Sequence, residues 1–238
     1  MKIQKDQFDK WVASVPTGPE PLTATRIAKL AGISKSSLFF QRGQGYVESS
    51  IIIALSRKLN LHSLEELTKF PELKIFKAYS QPSEQEILSQ LAPAFLMEEL
   101  LGRMRYEQVR HYPNTMPEPY GLKRWLDTTD LYGKYSDLAK GMGLSSVQVL
   151  SKKINENRLS IGQLAFLCEY GTLNARFGLV VTGMLTWEEA GFDWNIREKT
   201  LSNSSGKTVI DALMSARKWL EKDIQVKEFE VGVYRNLG

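Results

Sequence analysis

Two short stretches carry polar side chains at helical spacing with no acid among them: Ser34, Lys35, Ser36, Ser37, Gln41 and Arg42, then Ser145, Ser146, Gln148, Lys152 and Lys153. Amide and cationic side chains match the donors and acceptors on base edges, and hydroxyls mostly hold phosphates. Thr25 and Ser136 begin the helix before each stretch, where a hydroxyl and free backbone N–H groups can grip a phosphate. Arg26 and Gln44 extend the first set, and Asn155 and Arg158 the second. The chemistry these residues can do is recognition of double-stranded DNA in the major groove.

Other reactive groups lead less far. His62 and His111 have no partner at metal-ligand spacing, so neither a metal nor a histidine-based catalytic site is expected. The lone cysteine, Cys168, lies on an apolar helix face and reads as a buried, inert thiol. Gly206-Lys-Thr208 looks like the end of a phosphate-binding loop. Leu201 stands where its first glycine belongs and no hydrophobic strand precedes it, so Lys207 and Thr208 read as a helix start. The five tryptophans, Trp11, Trp125, Trp187, Trp194 and Trp219, read as core anchors. No cofactor and no enzymatic reaction are expected.

The polar stretches sit in a repeated frame. Thr25-Arg-Ile-Ala-Lys-Leu-Ala-Gly-Ile-Ser34 recurs in outline as Ser136-Asp-Leu-Ala-Lys-Gly-Met-Gly-Leu-Ser145, each residue 111 positions on. Each copy reads as a helix-turn-helix. Ala28 and Ala139 allow a close helix crossing, Gly32 and Gly143 the turn, and Ile33 and Leu144 plug the core. Leu38 and Val149 should anchor the second helix from below. Three residues on, where another apolar anchor belongs, stand Gln41 and Lys152. Neighbouring Phe40 and Ile154 can take that role, which leaves the rotation of each second helix open.

Around this frame the pattern is helical, and the expected fold class is mainly α. Phe8, Trp11, Val12 and Val15 predict a first helix, broken by Pro16, Gly18, Pro19 and Pro21. Thr23 to Ala31, Ser34 to about Arg42, and Val47 to Leu59 should follow. Ser63-Leu-Glu-Glu66, Ser83-Glu-Gln-Glu86, Ser145-Ser-Val-Gln148 and Thr186-Trp-Glu-Glu189 read as helix starts with capping boxes. A helix from Phe95 to Val109 would connect two heads and could separate them by a distance comparable to one DNA turn, roughly 34 Å. Pro113, Pro117 and Pro119 suggest a linker. Leu122 to Leu126 and Tyr135 to about Asn155 continue the helical pattern. Leu159 to Glu169 repeats the fourth helix at an offset of 112, which implies one inserted residue. Ser202 to Gly206 reads as a loop, Val209 to Leu220 as a helix, and Val226 to Tyr234 alternates like a small β segment. The expected organisation is an N-terminal helix-turn-helix domain over 1–75, a connecting helix and linker over 76–119, and a C-terminal domain with the second motif over 120–238.

The chain has 238 residues, a net charge of +4 and a pI near 9.0, mildly basic as a nucleic-acid partner would favour. Charge is unevenly placed: six Lys or Arg against one acid between Thr23 and His62, with an acidic stretch from Glu65 to Glu99 after it. Neither a signal peptide nor an apolar run of membrane-spanning length is evident, so a cytoplasmic protein is expected.

The chain resembles the immunity repressors of temperate mycobacteriophages and related actinobacterial phages. The likeness rests on Trp11 with Pro21-Leu-Thr-Ala-Thr25, the helix-turn-helix to Arg42, Gly102-Arg-Met-Arg105, Lys153-Ile-Asn-Glu-Asn-Arg158, and Thr182-Gly-Met-Leu-Thr-Trp-Glu-Glu-Ala-Gly191. It covers most of residues 5–192. The resemblance implies a monomeric repressor that binds asymmetric operators and stoperators through both heads and maintains lysogeny. A different class also fits a helix-turn-helix chain: an antitoxin or adaptor whose C-terminal half binds a protein.

Overall fold

Lys2–Gln4 (β1) pairs antiparallel with Tyr46–Glu48 (β2), placing Ile3 opposite Val47, and both side chains are fully buried. Helical spacing places Val47 in the following helix, but the structure makes it a strand residue. Its strand conformation depends on a partner more than forty residues away, which no local pattern reveals. The computed structural model describes residues 1–16, 20–105, 117–131 and 133–236, and the side chains of all of these except 222–223 and 226–236.

Lys5–Ser14 (α1) buries Phe8 and Trp11. Ala24–Ala31 (α2) and Lys35–Gly43 (α3) follow, then Ser49–Lys58 (α4) and Ser63–Thr68 (α5). The capping box expected at Ser63 does not form: His62 takes the N-cap position, and the Ser63 hydroxyl bonds Glu189 instead. Glu66 accepts from the Trp11 indole N–H at 2.7 Å and from Lys69. A 3-10 turn, Pro71–Lys77, leads to Glu84–Ser89 (α6), which has the full Ser83–Glu86 capping box. Pro93–Arg105 (α7) comes next; residues 106–109, expected to extend it, lie outside the described residues, as do Gly18, Pro19, His111 and Pro113.

The second half contains Gly121–Leu126 (α8), Tyr135–Gly141 (α9), Val147–Asn155 (α10) and Ile161–Gly171 (α11). Ala175–Val181 (α12), Ile196–Asn203 (α13) and Gly206–Asn236 (α14) complete it. Thr186 and Glu189 bond each other reciprocally as a capping box does, but the segment makes one turn and no helix. The expected β segment over Val226–Tyr234 is helical backbone, the end of the 31-residue α14. An established helix extends at little cost per residue and satisfies its own backbone, whereas a strand needs a partner. Lys207 lies in the first turn of α14, where the Ser205 hydroxyl accepts from the Thr208 N–H at 3.1 Å. Trp11, Trp125 and Trp187 are buried as expected; Trp194 is half exposed and Trp219 stacks on Tyr120.

One hydrophobic core passes through both halves, joining Phe8, Trp11, Ile52 and Phe76 to Trp125, Leu164, Phe177 and Trp187. The boundaries expected at 75 and 119 fall within this packing. Polar contacts reinforce it. Arg57 grips Glu189 bidentately at 2.6 and 2.7 Å and donates to the Met184 carbonyl, and Ser63 adds a bond to Glu189. Arg176 donates to the carbonyls of Phe76 and Lys77, and Trp125 to Glu86. A smaller cluster of Leu88, Leu91, Leu96, Leu201 and Val209 joins α6 and α7 to α13 and α14. Arg103 of α7 ties into it through the carbonyls of Leu201 and Ser204. Described residues of α7 thus lie against α14, and the halves are held by direct contact. Among the described residues, no helix is long and apolar enough to cross a membrane.

Candidate nucleic-acid interface

The helix pairs α2–α3 and α9–α10 are built alike up to their turns. Gly32 (φ +68°) and Gly143 (φ +66°) take the left-handed conformation that glycine adopts without strain. After each, the backbone N–H of Ile33 or Leu144 returns to the carbonyl of Ala28 or Ala139, at 3.0 and 2.9 Å. Both alanines are buried.

Then the pairs diverge. Ser34 N-caps α3, accepting from the Ser37 N–H at 3.0 Å. The equivalent cap on α10 is Ser146, which accepts from Val149; Ser145, the expected cap, is an exposed extra residue in the turn. The insertion inferred for the later loop therefore sits inside the turn, and every residue of α10 aligns with α3 at an offset of 112. One residue is about 100° of helix rotation. So Leu150, fully buried, is the counterpart of Leu38, while Val149, expected as the anchor, is 36% exposed.

Polar side chains help to seat α3. Gln41 is buried, and its Oε1 accepts from the Glu48 N–H at 2.9 Å, tying α3 to β2. It does not face outward as expected. Arg42 is half-buried and pairs with Asp9 at 2.7 Å. At the corresponding place in α10 stands Ile154, fully buried. Phe40, expected to turn inward, is 65% exposed, and Phe39 53%.

The outward faces are therefore partly different from those the sequence suggested. Along α3 and its ends they carry Ser34, Lys35, Ser36, Phe39, Phe40 and Gln44, with Ser37 half-buried. Along α10 they carry Ser145, Gln148, Val149, Lys152 and Asn155, with Ser146 and Lys153 half-buried. Thr25 lies one residue inside α2, whose N-cap is Thr23. Arg26 bonds the Glu20 carbonyl and lies 3.7 Å from its carboxylate. Ser136 is exposed in the first turn of α9, and Arg158, exposed beyond α10, is 3.3 Å from Glu156. Neither α2 nor α3 contains an acid, and Lys29 and Lys35 are exposed. Around α9 and α10, Lys134, Lys140 and Lys152 are exposed beside Asp137.

Phe39, Phe40 and Val149 are the surface residues that sequence reasoning missed. For Val149 a signal was present: Leu150 and Ile154 are spaced as neighbours on one helix face, which favours Leu150 over Val149 as the anchor.

Away from the two helix pairs, Cys168 and Glu189 are shifted by their surroundings. Burial, with the nearby Glu86 charge, pushes the Cys168 thiol up to about 12. Burial alone would raise the Glu189 carboxyl, but hydrogen bonds from Arg57, the Thr186 N–H and Ser63, with the Arg57 charge, hold it below its ordinary value. Among the described residues, no group of three or more His, Cys, Asp or Glu could hold a metal ion. No family model, curated protein or solved structure matches the chain.

Proposed function

We propose that this protein is a sequence-specific DNA-binding transcriptional repressor, of the kind its resemblance to phage immunity repressors implies. It acts as a monomer on asymmetric operators in the host cytoplasm, with α2–α3 and α9–α10 as two helix-turn-helix heads. The observation that carries this reading is the duplicated helix pair. The same glycine turn is built twice on one core, each time followed by a serine-capped helix that contains no acid. The second helix of each pair would enter a major groove, with hydroxyls and lysines on the phosphates. Because the faces differ, the heads would read different sequences, so the site needs no two-fold symmetry. Occupying such sites would occlude promoters or obstruct transcription.

Selection of bound sequences from random duplex DNA by the full-length protein tests this. One asymmetric consensus, bound by one chain in sedimentation, with affinity falling steeply as salt rises, is the expected result. Failure to enrich any sequence would sink the proposal, and two chains on a palindrome would overturn its monomeric form.

A second reading, a DNA-tethered adaptor that binds a protein through its C-terminal half, draws on exposed Met104 of α7 and Ile210 and Met214 of α14. Specific DNA recognition by the N-terminal pair alone, with Gln148 and Lys152 dispensable, would favour it.

A further inference from the structure

We infer that the first head reads thymine through apolar contact, with Phe39 and Phe40 packing against thymine 5-methyl groups. This rests on the DNA-binding reading above and adds how one part of the site is chosen. Ser36, Phe39, Phe40 and Gly43 fall at i, i+3, i+4 and i+7, a single face of α3. That face is opposite the one that buries Leu38 and Gln41. The long polar side chains sequence reasoning favoured as base readers are committed elsewhere: Gln41 to the β2 backbone and Arg42 to Asp9. What remains at the centre of the face is two aromatic rings, each more than half exposed.

Duplex DNA suits this face better than an apolar protein surface does. α2 and α3 contain no acid. Lys35 lies over the Phe39 ring, its Nζ 5.7 Å from the ring centre, so a cation rides beside the rings. Serines 34 and 36 flank them, their hydroxyls 3.0 Å apart. An apolar centre rimmed by a cation and hydroxyls fits a thymine methyl between phosphates, since phenylalanine is among the side chains that contact that methyl in the major groove.

Deoxyuridine is thymidine without the methyl and keeps the same base pairing, so it isolates the contact. In the sequence selected by the full-length protein, each dT is replaced singly by deoxyuridine and affinity is measured by fluorescence anisotropy. One or two adjacent positions should lose about fourfold, the transfer value of one buried carbon. That factor should hold between low and moderate salt while overall affinity falls, because no counterion is involved. In Phe39→Ala or Phe40→Ala the loss at the matching position should disappear, and uracil effects elsewhere should persist. Both side chains are exposed, so thermal melting should match the parent.

Uracil indifference at every position of the wild-type site would overturn the inference while leaving DNA binding intact. So would uracil losses that both variants retain in full, or wild-type affinity and base preference in both variants. If no sequence is selected at all, the DNA-binding reading fails and this inference with it.

Discussion

The α2–α3 and α9–α10 pairs share their first helix, their glycine and their return hydrogen bond, yet present different chemistry. α3 shows two phenylalanines beside a lysine; α10 shows Gln148, Val149, Lys152 and Asn155. The difference is one of residue type at matched positions: at the offset of 112, Phe40 corresponds to Lys152 and Ser37 to Val149. Ser145, inserted in the turn, moves the cap to Ser146 and shifts the sequence register of the following helix by one residue, so that Leu150 takes the place of Leu38. The anchoring differs too. α10 is seated by Leu150 and Ile154, as apolar packing would have it. α3 is seated by Leu38, by an amide bonded to a strand backbone, and by an ion pair. A duplicated frame can thus keep its scaffold while the residues at its aligned outward positions change.

The register difference can be broken most directly in the core. Leu150→Ala should destabilise by about 2–5 kcal/mol in urea unfolding, as for a fully buried leucine. Val149→Ala should stay within about 0.5 kcal/mol, as for a surface change. The reverse order would restore the 111-residue register and return Val149 to the core.

The polar seat of α3 is the next comparison. Gln41→Ala leaves the Glu48 N–H without its acceptor and should cost about 1–3 kcal/mol of stability. Its effect should appear in unfolding, with base preference at the DNA site unchanged. A wild-type stability with relaxed base preference would put Gln41 back on the surface.

The outward face of α10 should behave oppositely. Gln148→Ala with Lys152→Ala should leave unfolding unchanged and weaken specific DNA binding, about 1–3 kcal/mol for a good base contact. The preference read by the first head should survive. If stability falls instead, α10 is turned inward at these positions.

The smallest effect concerns how the halves are held together. Glu189→Gln weakens the clasp from Arg57 and should cost about 1 kcal/mol, discounted because Arg57 is solvent-screened. The Glu189 pKa is lower folded than unfolded, so its contribution is present above the unfolded carboxylate value, about 4.3, and is lost as pH falls through the depressed value. Comparing wild type and Glu189→Gln between neutral and acid pH should show the gap closing as pH falls. A gap that stays constant would mean the carboxylate charge contributes nothing to the clasp.

Much of this protein was legible in its sequence, where the determinants lie within a few residues of each other. The helical class, the cap at Ser34, the glycine turns, the Ser83 capping box and the buried thiol of Cys168 follow from spacing, side-chain hydrogen bonding and backbone permissiveness. Local pattern failed where a distant partner decided. Val47 is a strand because Ile3 lies beside it, and Ser63 gives up its cap for Glu189, 126 residues on. The tail became helix because α14 was already formed before it. Gln41 and Arg42 look like base readers by type, and only β2 and Asp9 turn them into anchors. The chain by itself determined most of the helices and the caps at Ser34 and Ser83, because capping and periodicity are short-range. Tertiary structure decided which face each helix shows, because that depends on which distant groups compete for the same side chains.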